Sequence, residues 1–254
     1  MTAPALRLSI VMPVRNEGIH MSIMLKILHA VIDVPHEVVV VYDDPTDTTV
    51  PVVTKLQGTF PNVRLVFNHL GRGVANAIHC GASAAVGDYI LIFAVDEVGP
   101  VLAIADMIAL ADEGCDFVSC TRYAYGGRRL GGSLVGGILS RTANKMFWLL
   151  TKCPFTDATT GAKLIRREVF GTLRLTANPV GWAVAFELAI KAQLAGLQLG
   201  EVPIISIDRL YGGKSTFSLG PWLVEYFRWF VWGVKHLHRF SSAPDVKAKV
   251  RLAT

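Results

Sequence analysis

The chain has 254 residues, 52% of them hydrophobic and 18% charged, with a mean hydropathy of +0.42. These values exclude a disordered or fibrous chain and suit one large domain, or a domain with an appendage, around a sizeable core. Lys and Arg outnumber Asp and Glu by 25 to 20, a net charge of +5. That charge favours an anionic partner without choosing among nucleic acid, anionic lipid and a phosphate-bearing substrate.

The oily composition raises the question of a membrane span, and no segment supplies one. Residues 89–111 are broken by Asp96, Glu97 and Asp106, and residues 130–150 by Arg141, Asn144 and Lys145. A crossing helix needs about 20 mostly apolar residues. The first residues lack the basic-then-apolar order of a signal peptide, so a cytosolic protein is expected. Cys80, Cys115, Cys120 and Cys153 show neither Cys-x-x-Cys spacing nor a matching His pattern and read as buried free thiols.

In chain order, residues 7–14 read as a strand, 17–30 as a helix and 37–42 as a second strand. A turn leads to a helix opening near Val50-Pro51, with Thr48 or Thr49 as its cap. Strands follow at 63–68, 89–93 and 117–120, with helices at 76–85 and 101–111 between them. This alternation predicts an α/β fold, a mostly parallel sheet with helices on both faces. Ligands of such sheets lie beyond the carboxyl ends of the strands.

Polar residues gather at those ends. Pro13, Arg15, Asn16 and Glu17 follow the first strand, Asp43 and Asp44 the second, and Gly71, Arg72 and Gly73 the third. Asp96 and Glu97 follow the fourth, and Arg122 the fifth. Any one cluster reads equally as helix caps. Together, on one rim, they point to a binding site.

Residues 125–137 contain six glycines with Arg128 and Arg129 and read as a mobile basic loop. A helix at 140–150, a polar stretch at 157–163, a helix at 182–195 and a strand at 201–207 complete the same domain, taken as residues 1–218. Gly212-Gly213-Lys214-Ser215 forms a second basic, glycine-rich loop near its end. Residues 219–240 mix Trp222, Trp229 and Trp232 with basic residues, the pattern of an amphipathic helix lying at a bilayer surface. Residues 241–254 read as a charged tail.

The order of these motifs resembles family 2 glycosyltransferases of the GT-A (Rossmann-like) fold, and within them the dolichyl- or polyprenyl-phosphate mannose and glucose synthases. Residues 9–13 with Asn16-Glu17 are similar to the family's opening strand and Asn-Glu pair, and residues 40–44 to its nucleotide motif. Gly71 through Gly81 and Gly87-Asp88 resemble its third segment. Thr121-Arg122-Tyr123, Ser140-Arg141 with Asn144, and Asp157 with Thr159-Thr160-Gly161 and Lys163 resemble features of the polyprenyl-phosphate branch. Glu187, Glu201-Val202-Pro203 and Arg209 with Gly212 match later segments, so the likeness runs from about residue 9 to residue 217. Two departures stand out. Ala94 occupies the first position of the usual Asp-x-Asp, leaving Asp96, and Pro45-Thr46 replace the usual Gly-Ser.

The resemblance implies an inverting transfer of a hexose, mannose or glucose, from a nucleotide-diphosphate sugar to a polyprenyl or dolichyl phosphate. It implies that Pro13, Arg15, Asn16, Glu17, Asp43, Asp44, Gly71, Arg72, Gly73 and Asp96 bind the nucleotide sugar. Asp44 suits a base N–H or ribose hydroxyl, and Asp96 suits Mg²⁺ or Mn²⁺ as one of few protein ligands. Arg122 and Arg141 would cradle the acceptor phosphate, which as an anion needs no general base. Asp157 is read either as a base for a hydroxyl acceptor or as a group orienting the arginines, and Arg209 and Lys214 as closing over the donor. Family members that span the membrane continue into hydrophobic helices. A peripheral enzyme on the cytoplasmic face is therefore expected here, with room for a separate membrane-anchoring subunit and no nucleic-acid partner. Transfer to a glycan hydroxyl, or a non-catalytic nucleotide-sugar-binding domain suggested by Ala94, are the alternatives.

Overall fold

The computed structural model describes residues 6–131, 134–207, 219–238 and 244–252. The chain enters through β1 (Leu8–Pro13), crosses by α1 (Gly18–Val31) to β2 (His36–Tyr42), and by α2 (Thr49–Leu56) to β3 (Val63–Phe67). Helix α3 (Val74–Ala84) carries it back past β1 to β4 (Tyr89–Ile92), and α4 (Ile104–Asp112) leads to β5 (Phe117–Thr121). Then come β6 (Arg128–Leu130), α5 (Leu134–Thr151), β7 (Lys163–Arg166) and α6 (Arg167–Phe170). The chain closes with α7 (Ala183–Leu194), β8 (Leu199–Pro203), β9 (Ile205–Ile207), α8 (Leu219–Leu237) and β10 (Ala248–Val250).

Among the described residues the main sheet has the order β10-β8-β5-β7-β4-β1-β2-β3. It is parallel except for β7, which runs antiparallel between β4 and β5. Its central strands are β-branched runs buried on both faces, as parallel strands between helices must be. Ile10, Met12, Val38, Val40, Leu91 and Phe93 face a core closed by α1 and α4. Val11, Val39, Val41, Ile90 and Ile92 face a second core, shared with α3, α5, α7 and α8. Each such side chain contributes roughly 1.5–3 kcal/mol when fully buried. Helix α3 lies so close that a Cβ on Gly81 would sit 2.4 Å from a Val11 methyl and 2.8 Å from a Val41 methyl. That packing fixes the opening of α3 at the rim above β1 and β2. The strand order reverses at β1, between β2 and β4, which makes the carboxyl ends there the natural crevice.

Several expectations change. The segment expected as a mobile loop contains β6, paired in parallel with β9, and the helix after it opens at Leu134 rather than 140. The strand expected at 201–207 breaks at Ile204, whose amide bonds Thr121 of the main sheet while its carbonyl accepts from Arg128. This switches the chain from one sheet to the other. The stretch 157–163 leads into β7, which no periodicity announces. The segment expected as a charged tail adds β10 beside β8 at the sheet edge. All four cysteines are buried and free.

Helix α8 packs inward through Trp229 and Leu237, each no more than 2% exposed, and outward it shows Leu223, Val224, Phe227 and Val231. The outer side of α5 likewise shows Leu134, Ile138, Leu139, Trp148 and Leu149. Among the described residues no helix is long and apolar enough to cross a membrane.

Candidate functional site

The loops after β1 and β2 are fastened to each other. Asn16, at the left-handed φ of 58° that Asn tolerates better than most residues, donates its amide to both oxygens of Asp47 at 3.0 and 3.1 Å. Its side-chain oxygen accepts from the Thr48 amide at 3.2 Å, and the Glu17 amide donates to Thr49 Oγ1 at 2.9 Å. Thr48 is the N-cap residue of α2, as expected, but its side chain makes no capping bond; buried Asp47 instead accepts from the Thr49 amide at 2.7 Å. The Asn16-Glu17 pair thus shapes the rim through these bonds. Pro13 ends β1, and Arg15 stands exposed beside it.

Asp44 and Asp43 differ in a way their adjacency conceals. Asp44 Oδ1 accepts from the Thr46 amide and hydroxyl at 2.9 and 2.7 Å, and Oδ2 accepts from Arg72 at 2.8 Å. The Thr46 bonds and the Arg72 charge hold its carboxyl below the ordinary range. Asp43 Oδ2 accepts from the Gly73 amide at 3.3 Å. Its Oδ1 is buried and accepts no hydrogen bond among the described residues. A buried acceptor left open costs about 1–3 kcal/mol, a cost the Gly73 bond to the other oxygen does not remove. Gly71 and Gly73 take φ values of +97° and +117°, which only glycine adopts freely. At Gly73 a Cβ would also fall 2.3 Å from the Pro179 carbonyl oxygen.

Asp96 follows β4, half-buried on the same rim. Glu97, the neighbouring carboxylate, accepts from the Ser206 hydroxyl of β9 at 2.6 Å, which directs it to that strand. Among the described residues no three His, Cys, Asp or Glu side chains gather as a metal cage. One oxygen ligand suits Mg²⁺ or Mn²⁺ when substrate phosphates and water supply the remainder. That is the metal chemistry these residues fit.

The second cluster lies beyond β5. Arg122 grips Asp157 with two parallel bonds, Nε to Oδ2 at 2.7 Å and Nη2 to Oδ1 at 3.0 Å. Asp157 is fully buried and also accepts from Asn144 at 3.3 Å and the Thr159 hydroxyl at 2.9 Å. Burial pushes its carboxyl up, but the Arg122 charge and hydrogen bonds outweigh that and hold it below the usual range. Of the two roles read from sequence, the geometry matches the one that orients arginine. The guanidinium groups of Arg122 and Arg141 lie 5.1 and 5.8 Å from the centroid of one ring, Tyr123. The Tyr123 hydroxyl is buried without a hydrogen-bond partner among the described residues.

A charged layer supports this cluster from below. Buried Lys163 donates to Ser119 Oγ at 2.6 Å, Thr160 Oγ1 at 3.1 Å and the Ala158 carbonyl at 3.4 Å, and burial brings its pKa down to about 8. Glu201 accepts from the Thr156 amide and hydroxyl at 2.9 and 3.0 Å and the Asp157 amide at 3.3 Å. Burial pushes Glu201 up to about 7. Burial likewise raises the Tyr226 hydroxyl of α8. Arg209 and Lys214 lie outside the described residues.

The structure therefore brings Asp43, Asp44, Gly71, Arg72 and Gly73 into one cluster, and Arg122, Arg141 and Asp157 into another. The family description "Glycosyl transferase family 2" matches residues 9–174. A dolichol-phosphate mannosyltransferase of Pyrococcus furiosus is 25% identical over 232 residues, covering 88% of this chain and 64% of that protein. One from Mycosarcoma maydis is 27% identical over 216 residues, covering 83% and 70%. The chain thus spans less than two thirds of the Pyrococcus protein's length.

Among solved structures, a mannosyltransferase from Pyrobaculum calidifontis in complex with GDP-Man and Mn²⁺ superposes with a TM-score of 0.63 at 21% identity, over 94% of this chain and 66% of that one. Glucosyl-3-phosphoglycerate synthase from Mycobacterium tuberculosis, with Mn²⁺, UDP-Glc and phosphoglyceric acid, gives 0.65 at 18% identity, over 91% and 80%. These likenesses identify the sheet and its helices as a GT-A-like fold. With a family match that takes in well over half of its residues, the chain belongs to glycosyltransferase family 2.

Proposed function

We propose that this chain moves a hexose, mannose or glucose, from a nucleotide-diphosphate sugar to a polyprenyl or dolichyl phosphate, with inversion at the anomeric carbon. The observation that carries the reading is the pair of guanidinium groups sharing the Tyr123 ring, one of them fixed by a buried carboxylate. A hydroxyl acceptor requires a base, and Asp157, saturated by Arg122, Asn144 and Thr159, is not disposed as one. A phosphate acceptor requires cations. Two unit charges of like sign 5 Å apart repel by roughly 3 kcal/mol at an effective dielectric of 20. Arg122 and Arg141 would offset that cost as the lipid phosphate approaches the donor diphosphate.

In the reaction an oxygen of the lipid phosphate forms a bond to the anomeric carbon as the bond from that carbon to the diphosphate breaks, releasing nucleoside diphosphate. Asp43 would accept a hydrogen bond from the nucleotide, with Gly71–Gly73 beside it. Asp96 would hold Mg²⁺ or Mn²⁺, which balances the charge of the departing diphosphate when bound. The relatives named as dolichol-phosphate mannosyltransferases, and the neighbours solved with GDP-Man or UDP-Glc and Mn²⁺, support this assignment. The exposed apolar rows of α5 and α8 support peripheral attachment at the cytoplasmic face of a membrane. They leave surface for a membrane-anchoring subunit as well.

Ala94 favours a second reading, a domain that binds nucleotide sugar without transferring it. Purified protein incubated with radiolabelled GDP-mannose or UDP-glucose, Mn²⁺ or Mg²⁺, and a short polyprenyl phosphate tests both. Label is expected in the lipid fraction, and excess chelator should abolish it. Binding without transfer would establish the second reading, and label in a soluble glycan would overturn the lipid-phosphate acceptor.

A further inference from the structure

Between α6 and α7 the chain passes over the rim, and its backbone is held there by two buried carboxylates. Glu187 of α7 is fully buried and accepts from the Thr176 amide at 2.5 Å, the Thr176 hydroxyl at 3.1 Å and the Ala177 amide at 2.8 Å. Glu225 of α8 is 4% exposed and accepts from the Asn178 amide and side chain, both at 2.9 Å. Three consecutive backbone amides are thus received by two glutamates from two different helices. Lys191 at 2.6 Å balances Glu187, while Arg228, together with Trp229 at 3.1 Å, satisfies the rest of Glu225.

The segment so held is itself exposed at Thr176, Asn178 and Pro179. It is wedged between two further groups. A Cβ on Gly73 would strike the Pro179 carbonyl at 2.3 Å, and one on Gly181 would strike the Trp222 ring at 2.4 Å. Burying a carboxylate is expensive even when it is paired, and apolar residues at these helix positions would cost less. What the glutamates secure is the shape of this segment where it meets the Gly71–Gly73 turn, the turn whose amide also holds Asp43.

We propose that Glu187 and Glu225 are positioning residues for the donor site, holding residues 176–179 as a wall against the Gly73 turn. The inference rests on the nucleotide-sugar reading and adds to it a part of the wall and the groups that set it. The acceptor cluster is anchored separately, by Glu201 and Lys163, so the effect belongs to the donor.

The test uses the full chain, titrated calorimetrically with GDP and with UDP, followed by transfer kinetics. Glu225→Gln has one acceptor oxygen where the carboxylate has two, and Pro179→Gly loosens the wall at an exposed position without touching either glutamate. Each variant should raise the Kd of whichever nucleotide the wild type binds by about fivefold or more. Each should raise the donor KM in step and leave the acceptor KM unchanged. Wild-type affinity and donor KM in both variants, with only a lowered unfolding midpoint for Glu225→Gln, would overturn the inference alone. A wild-type chain that binds neither nucleotide would overturn the donor reading and this inference with it.

Discussion

At the turn after β2, Thr46 and Arg72 occupy both oxygens of Asp44, while Asp43 keeps one buried oxygen open. Asp43→Ala should therefore weaken GDP or UDP binding by about 1–3 kcal/mol, and Asp44→Ala by less, because its effect passes through Arg72. Titration calorimetry separates the two; an unchanged Asp43→Ala isotherm would remove that residue from the site. The adjacent aspartates are plain in the sequence, but which of them is open depends on folds of the chain around Thr46 and Gly73.

Glu201 offers a second test at this scale. Its pKa rises from the ordinary 4.5 to about 7 in the folded chain, so the folded state holds a proton that the unfolded state gives up between those values. Its stabilising contribution is complete below about pH 4.5 and is lost as pH rises through 7. Relative to Glu201→Gln, which stays neutral, the wild type should lose up to about 3 kcal/mol between pH 5 and pH 8. Urea unfolding across that range measures it, and a constant difference would show that Glu201 ionises normally.

The elements legible in the sequence are those with long patterns. The strands β1 through β5 are β-branched runs bounded by turn residues, and their alternation with helices gives the parallel sheet and its functional rim. The strands with no sequence signal, β6, β7 and β10, have three or four residues each, too few to show a period. Their pairings join distant segments, as when Arg128–Leu130 meets Ile205–Ile207. The sequence pattern suits helix α8 to a membrane surface, and the structure gives it two apolar sides, one committed to the core. Phe227 and Val231, 67% and 50% exposed, stand on the other. Replacing both with Ser should leave the fold intact and cost about 1–2 kcal/mol in binding to anionic phospholipid vesicles. Cosedimentation measures this, and undiminished binding would show that α8 does not carry the membrane contact.

At the scale of the whole molecule, the sheet sets the function by where it ends. Strand order reverses at β1, so the loops after β1, β2 and β4 lie on one rim, the edge where such sheets bind ligands, and β5 brings Arg122 to the same rim. The sequence shows the polar residues at these ends, which is why the cluster of Asp43, Asp44 and Gly71–Gly73 is legible in it. It does not show that Asp157, 35 positions after Arg122, would be buried beneath it, nor that residues 176–179 would face Gly73. Those contacts come from β7 inserting antiparallel into the sheet and from α7 and α8 packing behind it. On the proposed reading, this rim carries separate sites for a nucleotide donor and a phosphate acceptor. Kinetics of Arg141→Ala with polyprenyl phosphate, alongside titration with GDP and UDP, tests it most directly. The acceptor KM should rise and transfer should fall at least about tenfold while nucleotide affinity stays as in the wild type. Normal transfer to the lipid by Arg141→Ala, or loss of nucleotide affinity in step with transfer, would contradict it.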